Sequence, residues 1–235
     1  MSTFVLVHGA WHGSWCWKRV RSSLQAQGHE VFTPTLTGVG ERSHLLAREI
    51  DLETHILDVL NLIRWEELSN VVLCGHSYGG AVVTGVADRI PERIRALVYL
   101  DAFVPADNET VLQHVPAAQR EQMLAHTRDL GEGWKVPPIP AEVFNVNEQD
   151  RAWMNRQCTF HPLGTFQQRL SLSGGVSKIG KIVYIRASGF QEGSPFSPFE
   201  EKARAAGWTM LKMACGHDVM LDQPQQLTAA LLDVA

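Results

Sequence analysis

The sequence predicts an α/β protein with a doubly wound, mostly parallel sheet and an inserted helical cap. Apolar runs rich in β-branched residues alternate with stretches of helical spacing, and this alternation stops from about residue 103 to about residue 175. A chain of 235 residues with 45% apolar residues suits one domain with such an insertion. We therefore expect residues 1–102 and 176–235 to form the core and residues 103–175 to form the cap.

The part of the core before the cap contains four predicted strands and three predicted helices. The strands span residues 4–7, 30–33, 70–74 and 94–100, and the helices span residues 15–27, 51–64 and 80 to about 91. Gly28 ends the first helix, and Pro34 closes the second strand. The polar, glycine-containing loop over residues 37–44 lacks the order of a phosphate-binding loop, so we interpret it as a surface connection.

The cap and the rest of the core follow. Helical fragments are predicted around residues 119–128 and 150–158, and the core resumes with strands over 181–186 and 208–213 and helices over 198–206 and 224–234. Trp11 of the first glycine loop and Trp134, Trp153 and His161 of the cap are candidates for contact with an apolar substrate. The three cap residues could equally belong to the small core of the cap itself.

Composition and charge exclude several classes of protein. A net charge of −4 without a Lys/Arg cluster argues against a nucleic-acid surface, and no apolar run approaches the roughly 18 residues of a membrane span. No basic and apolar leader precedes the first strand, so we expect a cytoplasmic protein. The four cysteines and ten histidines show no metal-ligand spacing, and we expect neither a metal nor a cofactor.

A strand-to-helix corner carries the strongest functional signal. Residues Gly75-His76-Ser77-Tyr78-Gly79 lie between the apolar run over 70–74 and an Ala/Val/Gly-rich helix. So sharp a turn excludes bulky flanking residues, which accounts for both glycines and leaves the Ser77 hydroxyl above the sheet. The pattern is typical of a nucleophile elbow.

A serine nucleophile needs a base and donors for the oxyanion. His217 follows the last strand, at the sheet edge where Ser77 emerges, and is the predicted base. The backbone N–H groups of Ala10, in the loop after the first strand, and of Tyr78 are the predicted oxyanion donors. His8 and His12 precede the serine, so we interpret them as residues that shape the loop.

The acid of the triad stays open. No aspartate follows the strand over 181–186, where the usual order would place it. Asp101 is the first candidate, because a carboxylate at the end of a buried strand needs a partner and the Nδ1–H of His217 would supply one. Glu192 is the second candidate. Asp218, adjacent to His217, is interpreted as solvated or structural.

Four motifs resemble the α/β-hydrolase superfamily, in the branch of plant methylesterases, hydroxynitrile lyases and bacterial esterases. They span residues 7–17, 74–80, 97–105 and 216–224. The resemblance implies a capped α/β-hydrolase fold, with Ser77 and His217 as nucleophile and base and with Ala10 and Tyr78 as oxyanion donors. It also places the usual acid near Gly189, where this sequence departs from the family.

The sequence thus predicts a cytoplasmic, cofactor-free serine esterase that cleaves small carboxylic esters. Its expected partner is a small-molecule ester rather than a nucleic acid or a membrane, and a homodimer is left open. Lyases of the branch carry Thr or Asn near the first glycine loop, and some carry Lys after the catalytic histidine. Here Gly9, Ala10 and Asp218 occupy those places, which favours an esterase. A binding or sensing protein without turnover is the third hypothesis.

Overall fold

A six-stranded sheet forms the centre of the computed structural model, which describes residues 1–190 and 194–235. Its strands are β1 (Thr3–Val7), β2 (Glu30–Phe32), β3 (Val71–His76), β4 (Ile94–Leu100), β7 (Ile182–Ala187) and β8 (Thr209–Met213). Their order is β2-β1-β3-β4-β7-β8, and every pairing is parallel. The predicted α/β sheet is therefore confirmed.

The order of the strands indicates where on the sheet a ligand site should lie. The chain moves outward from β1 to β2 and then returns to the other side of β1 with β3. In open α/β sheets, ligands bind at the carboxyl ends of the strands beside such a switch point. The glycine loop after β1 and the serine corner after β3 both lie there, and the ends of β4 and β8 face the same edge.

Helices of the core pack on the sheet through apolar faces. They are α1 (Lys18–Ala26), α2 (Leu52–Trp65), α3 (Gly79–Arg89), α7 (Ser197–Ala205), α8 (Val219–Asp222) and α9 (Pro224–Val234). The first predicted helix begins as a 3-10 turn over Ser14–Trp17 before α1, and the short α8 was not predicted. Along α2 the buried residues include Leu52, Ile56 and Ile63, as the spacing predicted.

Small residues let α3 approach the sheet closely. All six residues of β3 are buried, and a Cβ added at Gly75 would lie 2.5 Å from the carbonyl oxygen of Gly79. A Cβ added at Gly80 would lie 2.3 Å from the carbonyl oxygen of Phe103. Side chains at these two positions would force the corner apart, so the glycines fix its shape.

Residues 103–175 contain three helices and a two-stranded antiparallel sheet. The helices are α4 (Ala117–Leu130), α5 (Glu148–Gln157) and α6 (Gly164–Gln167), and the strands are β5 (Lys135–Val136) and β6 (His161–Pro162). The expectation that strands are absent from this segment was wrong. Elements of two residues carry no detectable alternation, so the sequence pattern could not reveal them.

The loop after β2 is less exposed than predicted. Gly38, Val39 and Gly40 are buried, and both the N–H and the hydroxyl of Thr37 donate to the carboxylate of Asp58 on α2, at 2.7 and 2.8 Å. The interpretation of a surface connection holds only for the second half of the loop. Within the described ranges, no helix combines the length and apolarity that crossing a bilayer requires.

Candidate active site

Ser77 occupies a strained corner between β3 and α3. Its φ is +53°, a left-handed conformation that costs a non-glycine residue roughly 1–2 kcal/mol. Main-chain hydrogen bonds hold it there: the N–H of Ser77 donates to the carbonyl of Leu100 at 3.1 Å, and the Ser77 carbonyl accepts from Gly80 at 3.0 Å and from Phe103 at 3.1 Å. These bonds fix the backbone from which the Ser77 side chain reaches the cavity wall.

Asp101 and His217 meet at the carboxyl edge of the sheet. Asp101 directly follows β4, and its Oδ2 lies 2.7 Å from Nδ1 of His217. Asp101 is fully buried and His217 is 2% exposed. Because a carboxylate only accepts, Nδ1 carries the proton and Nε2 is left as the basic nitrogen. The structure thus brings together the first-choice acid and the predicted base, whereas the alternative, Glu192, lies outside the described residues.

Sequence reasoning missed a third member of this cluster, Arg186. Its guanidinium is 2% exposed and donates to Oδ1 of Asp101, while the N–H of Ala187 donates to the same oxygen at 3.2 Å. Arg186 also donates to the carbonyl of Phe190 at 3.0 Å and to the hydroxyl of Ser194 at 2.9 Å. The buried Asp101 carboxylate is therefore paired and hydrogen-bonded, as burial of a charge requires. A lone arginine near the end of an apolar strand was the signal available in the sequence.

Aromatic rings surround the imidazole of His217. The ring of Phe196 stacks on it at 4.9 Å between centroids, and Phe144, Phe190 and His76 lie at 5.2, 5.1 and 4.5 Å. Burial, followed by the proximity of His217, holds the pKa of His76 well below its usual range. His76 is therefore neutral, and its Nε2–H donates to the main-chain carbonyl of His217 at 3.1 Å. These contacts fix the orientation of the predicted base.

One cavity of about 380 Å³ joins the predicted catalytic groups. Ser77 and His217 line it together with Ala10 and Tyr78, and Trp11 contributes to the same wall. The rest of the lining is mainly apolar and comes largely from residues 103–175, including Val115, Met123, Val136, Pro137, Ile139, Pro140, Val143, Phe144 and Phe166. Among the described residues, no Lys, Arg, Asp or Glu lines this space, so it suits an uncharged apolar ligand.

A family model described as the alpha/beta hydrolase family matches residues 4–231, nearly the whole chain. The chain belongs to this family. An esterase from Nocardioides sp. (strain SG-4G) that hydrolyses carbendazim is 47% identical over 98% of this chain and 98% of its own. Methylesterase 1 of Arabidopsis thaliana is 31% identical over 72% of this chain and 54% of its own. An extracellular α/β-hydrolase from a Paenibacillus species superposes with a TM-score of 0.87 at 22% identity, over 100% of this chain and 99% of that one.

These similarities agree with the motifs in the sequence. The two relatives are a bacterial esterase and a plant methylesterase, so the predicted branch of the family is confirmed. The superposed structure supports the fold alone. This α/β-hydrolase is accordingly an ester-cleaving enzyme.

Three residues predicted to contact substrate are placed elsewhere in this α/β-hydrolase. Trp153 packs edge-on against Trp15, 5.0 Å between centroids, and the Lys135 ammonium lies 5.6 Å from the ring of Trp134. His161 is fully buried. None of the three is among the described residues that line the cavity, whereas Trp11 is. Long aromatic side chains in a segment as short as residues 103–175 pack on their neighbours, which is the alternative that the sequence left open.

Asp218 is structural and not solvated. It is fully buried, and its Oδ1 lies 2.8 Å from Nε2 of His12. Burial alone would lower the pKa of His12, but the adjacent Asp218 carboxylate outweighs it and raises that pKa. Burial likewise opposes ionisation of Asp218, yet His12 holds its pKa below the usual range. The two residues therefore form a buried ion pair that joins the loops after β1 and β8.

No metal site accompanies these groups in the part of the chain that the structure describes. Among residues 1–190 and 194–235, no cluster of three His, Cys, Asp or Glu side chains is arranged to hold a metal ion. Burial raises the pKa of the Cys74 and Cys158 thiols well above their usual range, and it raises that of Cys215 to about 12. These thiols are protonated near neutral pH and are therefore not activated as nucleophiles.

Proposed function

We propose that this α/β-hydrolase cleaves small, uncharged carboxylic esters through an acyl-enzyme on Ser77. The observation that carries the proposal is the arrangement of His217, whose Nδ1–H is bound by Asp101 at 2.7 Å while the ring lines the same cavity as Ser77. A histidine held in this tautomer presents its basic Nε2 to a serine hydroxyl. Asp101 is the proposed acid of the triad.

Acylation follows from these positions. As the Ser77 hydroxyl attacks the ester carbonyl carbon, Nε2 of His217 takes its proton, and the new charge on the imidazolium is stabilised by Asp101. The carbonyl oxygen becomes an oxyanion, which accepts from the main-chain N–H groups of Ala10 and Tyr78. When the carbon–oxygen bond to the leaving group breaks, His217 returns the proton and an alcohol departs.

Deacylation repeats the same steps with water. His217 removes a proton from a water molecule as its oxygen attacks the acyl carbon of the Ser77 ester, and the Ser77 oxygen then leaves with that proton. The products are a carboxylic acid and the regenerated serine. Each cycle consumes one ester and one water, and no step requires an oxidant, a reductant or a metal ion.

The cavity defines the substrate class. A volume of about 380 Å³ is near the lower end of the range of small-molecule sites, and its walls are apolar and aromatic. An ester with one aromatic or short aliphatic group and no charge fits these walls. We include methyl carbamates in the class, because the bacterial relative that is 47% identical hydrolyses carbendazim.

The segment over residues 103–175 is proposed as a cap on the core formed by residues 1–102 and 176–235. Its support is the lining of the cavity, in which residues of α4 and of the stretch from β5 to Phe144 face Ser77 and His217. The acyl and alcohol preferences would then depend on the cap, and the chemistry on the core. A cytoplasmic location and a homodimer stay predictions, to be tested by cell fractionation and by light scattering after gel filtration.

The test of the proposed function is pre-steady-state hydrolysis of p-nitrophenyl acetate. The wild type is expected to release a burst of p-nitrophenol matched to enzyme concentration, and Ser77→Ala is expected to abolish both burst and turnover. Ser43→Ala, at an exposed serine outside the cavity lining, is the matched control and keeps the burst. Turnover that persists in Ser77→Ala would overturn the proposal, as would cyanide release from mandelonitrile without ester cleavage.

A further inference from the structure

The main chain at Trp11 has an unusual conformation beside the proposed oxyanion donor Ala10. Its φ is +65°, in the left-handed region that a bulky residue rarely adopts. Such a conformation persists only where the surrounding contacts over-determine it. Trp11 is 6% exposed and lines the cavity. The contacts that hold Trp11 therefore bear on the geometry of the loop that carries Ala10.

Three hydrogen bonds hold Trp11, and all of their partners lie in residues 103–175. The N–H of Thr159 donates to the Trp11 carbonyl at 3.0 Å, and the Trp11 N–H donates to Nδ1 of His161 at 3.3 Å. The indole Nε1–H donates to the carbonyl of Val136 at 3.2 Å. Val136 and His161 are paired with each other across β5 and β6. Two of the three partners thus belong to one paired strand element, and together the three bonds hold both the backbone and the side chain of Trp11.

The hydrogen bonds of His161 define its protonation. Nδ1 accepts from Trp11, so Nε2 carries the proton and donates to the hydroxyl of Thr165 at 2.9 Å. That hydroxyl donates in turn to the carbonyl of Pro162 at 2.8 Å. Burial, together with His55, His8 and His12 nearby, holds the pKa of His161 well below its usual range. A neutral imidazole is the state in which Nδ1 can accept.

We infer that His161 is a positioning residue for the oxyanion hole, which it serves by accepting the N–H of Trp11 and so fixing the loop that carries Ala10. The inference rests on the proposed function, in which Ala10 binds the oxyanion. From the core side, Nδ1 of His12 donates to the Ala10 carbonyl at 2.7 Å, so the loop is held from two directions. His161 itself is not part of the cavity lining and acts through Trp11.

Two substitutions at His161 distinguish the role of its hydrogen-bond acceptor, Nδ1, from the role of the size of its ring. His161→Asn retains an acceptor, Oδ1, near the position of Nδ1, whereas His161→Phe retains a ring without one. We expect kcat of His161→Phe to fall about 10- to 100-fold with KM changed less than about threefold, because a displaced donor weakens transition-state binding more than ester binding. His161→Asn is expected to recover most of kcat. The matched control is Thr127→Val, which removes a buried hydroxyl elsewhere in the cap and is expected to leave kcat unchanged.

A pair of inhibitors isolates the oxyanion. An aryl trifluoromethyl ketone adds the Ser77 oxygen to its carbonyl carbon, places a negative charge on its own oxygen and leaves the serine proton on His217. The matching methyl ketone binds without that charge. We expect the affinity of His161→Phe for the trifluoromethyl ketone to drop by about the same factor as kcat, and its affinity for the methyl ketone to stay within about twofold.

Two measurements do not depend on turnover. Nitrogen-15 NMR of labelled histidine in the wild type is expected to show His161 as the neutral Nε2–H tautomer. Hydrogen exchange at the Trp11 amide is expected to be slow in the wild type and in His161→Asn, and faster in His161→Phe. An Nδ1–H tautomer, or equal exchange in all three proteins, would overturn the inference, and the tautomer is read without any variant having to fold.

The outcomes separate this inference from the proposed function. Full esterase activity in Ser77→Ala would remove the proposed function, whereas the tautomer and the exchange rates would still show whether His161 holds Trp11. If Ser77→Ala is inactive but His161→Phe matches the wild type in kcat and in trifluoromethyl ketone affinity, only the positioning role of His161 fails.

Discussion

Asp101 sits between the predicted base His217, which it orients, and the Arg186 guanidinium, which supports it. Oδ2 binds Nδ1–H of His217, and Oδ1 accepts from Arg186 and from the main chain of Ala187. Hydrogen bonds to both oxygens thereby fix the orientation of the Asp101 carboxylate. Arg186 reaches Asp101 from β7, the strand beside β4, so the support for the acid is built into the sheet itself.

This arrangement predicts the behaviour of variants at the acid. Asp101→Asn is expected to lower kcat by several powers of ten, roughly 10⁴-fold as in other serine hydrolases, because an amide does not hold the Nδ1–H tautomer. It also removes the carboxylate that accepts from Arg186 and leaves the Glu200 carboxylate, 3.7 Å from Arg186 Nε, as the remaining counter-charge, so the melting temperature should fall as well. Glu192→Gln is the control and should leave kcat near the wild-type value. Greater damage from Glu192→Gln than from Asp101→Asn would show that the acid is misassigned.

At this scale, the sequence predicts the residues that belong to motifs. Ser77 and His217 stand in recognisable local patterns, and Asp101 was predicted because a carboxylate at the end of a buried strand needs a partner, which the structure gives it in His217 and Arg186. Arg186 was not assigned and His161 was assigned to substrate contact instead, because their contacts are made across 85 and 150 residues of chain. Contacts between residues so far apart in the sequence cannot be predicted from local sequence patterns.

The corner between β3 and α3 depends on close contact between elements. Gly80 comes so near the segment after β4 that an added Cβ would lie 2.3 Å from the Phe103 carbonyl oxygen and 2.7 Å from the Ala102 side chain. Neither neighbour is the flexible end of a long side chain. The sharp turn at Ser77 is therefore possible only while α3 stays pressed onto the sheet.

A matched pair of glycine substitutions tests this contact. Gly80→Ala is expected to lower the free energy of unfolding by about 1–3 kcal/mol, the usual cost of overpacking, and to reduce esterase activity by moving Ser77. Gly180→Ala is the control: an added Cβ there meets nothing within 4 Å, so stability should change little or rise slightly. Denaturant unfolding of both variants measures the difference. Equal stabilities for the two variants would contradict the account of the corner.

Helices and strands with a clear period of hydrophobic residues were predicted well, and those without such a period were not. The strand over Ile94–Leu100 and the helix over Pro224–Val234 have the predicted bounds. The two-residue strands β5 and β6 were missed, although their pairing unites the partners of Trp11. A pairing of that length is specified by tertiary contacts rather than by alternation.

On the scale of the whole molecule, a buried ion pair couples folding to pH. His12 and Asp218 are 2% and 0% exposed and join the loops at opposite ends of the chain. The pKa of His12 is raised in the folded protein, so its contribution to stability is complete below about pH 6.5 and is lost as pH rises through the folded pKa. The pKa of Asp218 is lowered, so its contribution is lost only in acid.

The comparison of wild type with Asp218→Asn isolates this effect. The variant removes the charge that holds the proton on His12, so the wild type should be more stable by about 3–5 kcal/mol at pH 6. The difference should shrink as pH rises above about 6.5, by at most about 1.4 kcal/mol per pH unit. Urea unfolding from pH 6 to 9 measures this difference in the free energy of unfolding. A difference that stays constant over that pH range would contradict the ion pair of His12 with Asp218.

The fold class was predictable because strand-like and helical hydrophobic periods alternate along the chain, and this alternation stops at about residue 103. The path of residues 103–175 was not predictable, since the aromatic residues of this segment could pack inward or face a ligand. Trp11 faces the cavity, and Trp153 packs on Trp15 instead. The outcome depends on distances that no local pattern specifies.

The most direct test of the central claim is the covalent intermediate itself. The wild-type protein is mixed with a slowly deacylating aryl ester, quenched in acid during turnover, and its intact mass and peptides are measured. The account predicts a mass increase equal to the acyl group less the one hydrogen that it replaces, located on Ser77 and absent from Ser77→Ala. Full turnover with no acyl adduct, or an adduct located on another residue, would contradict it.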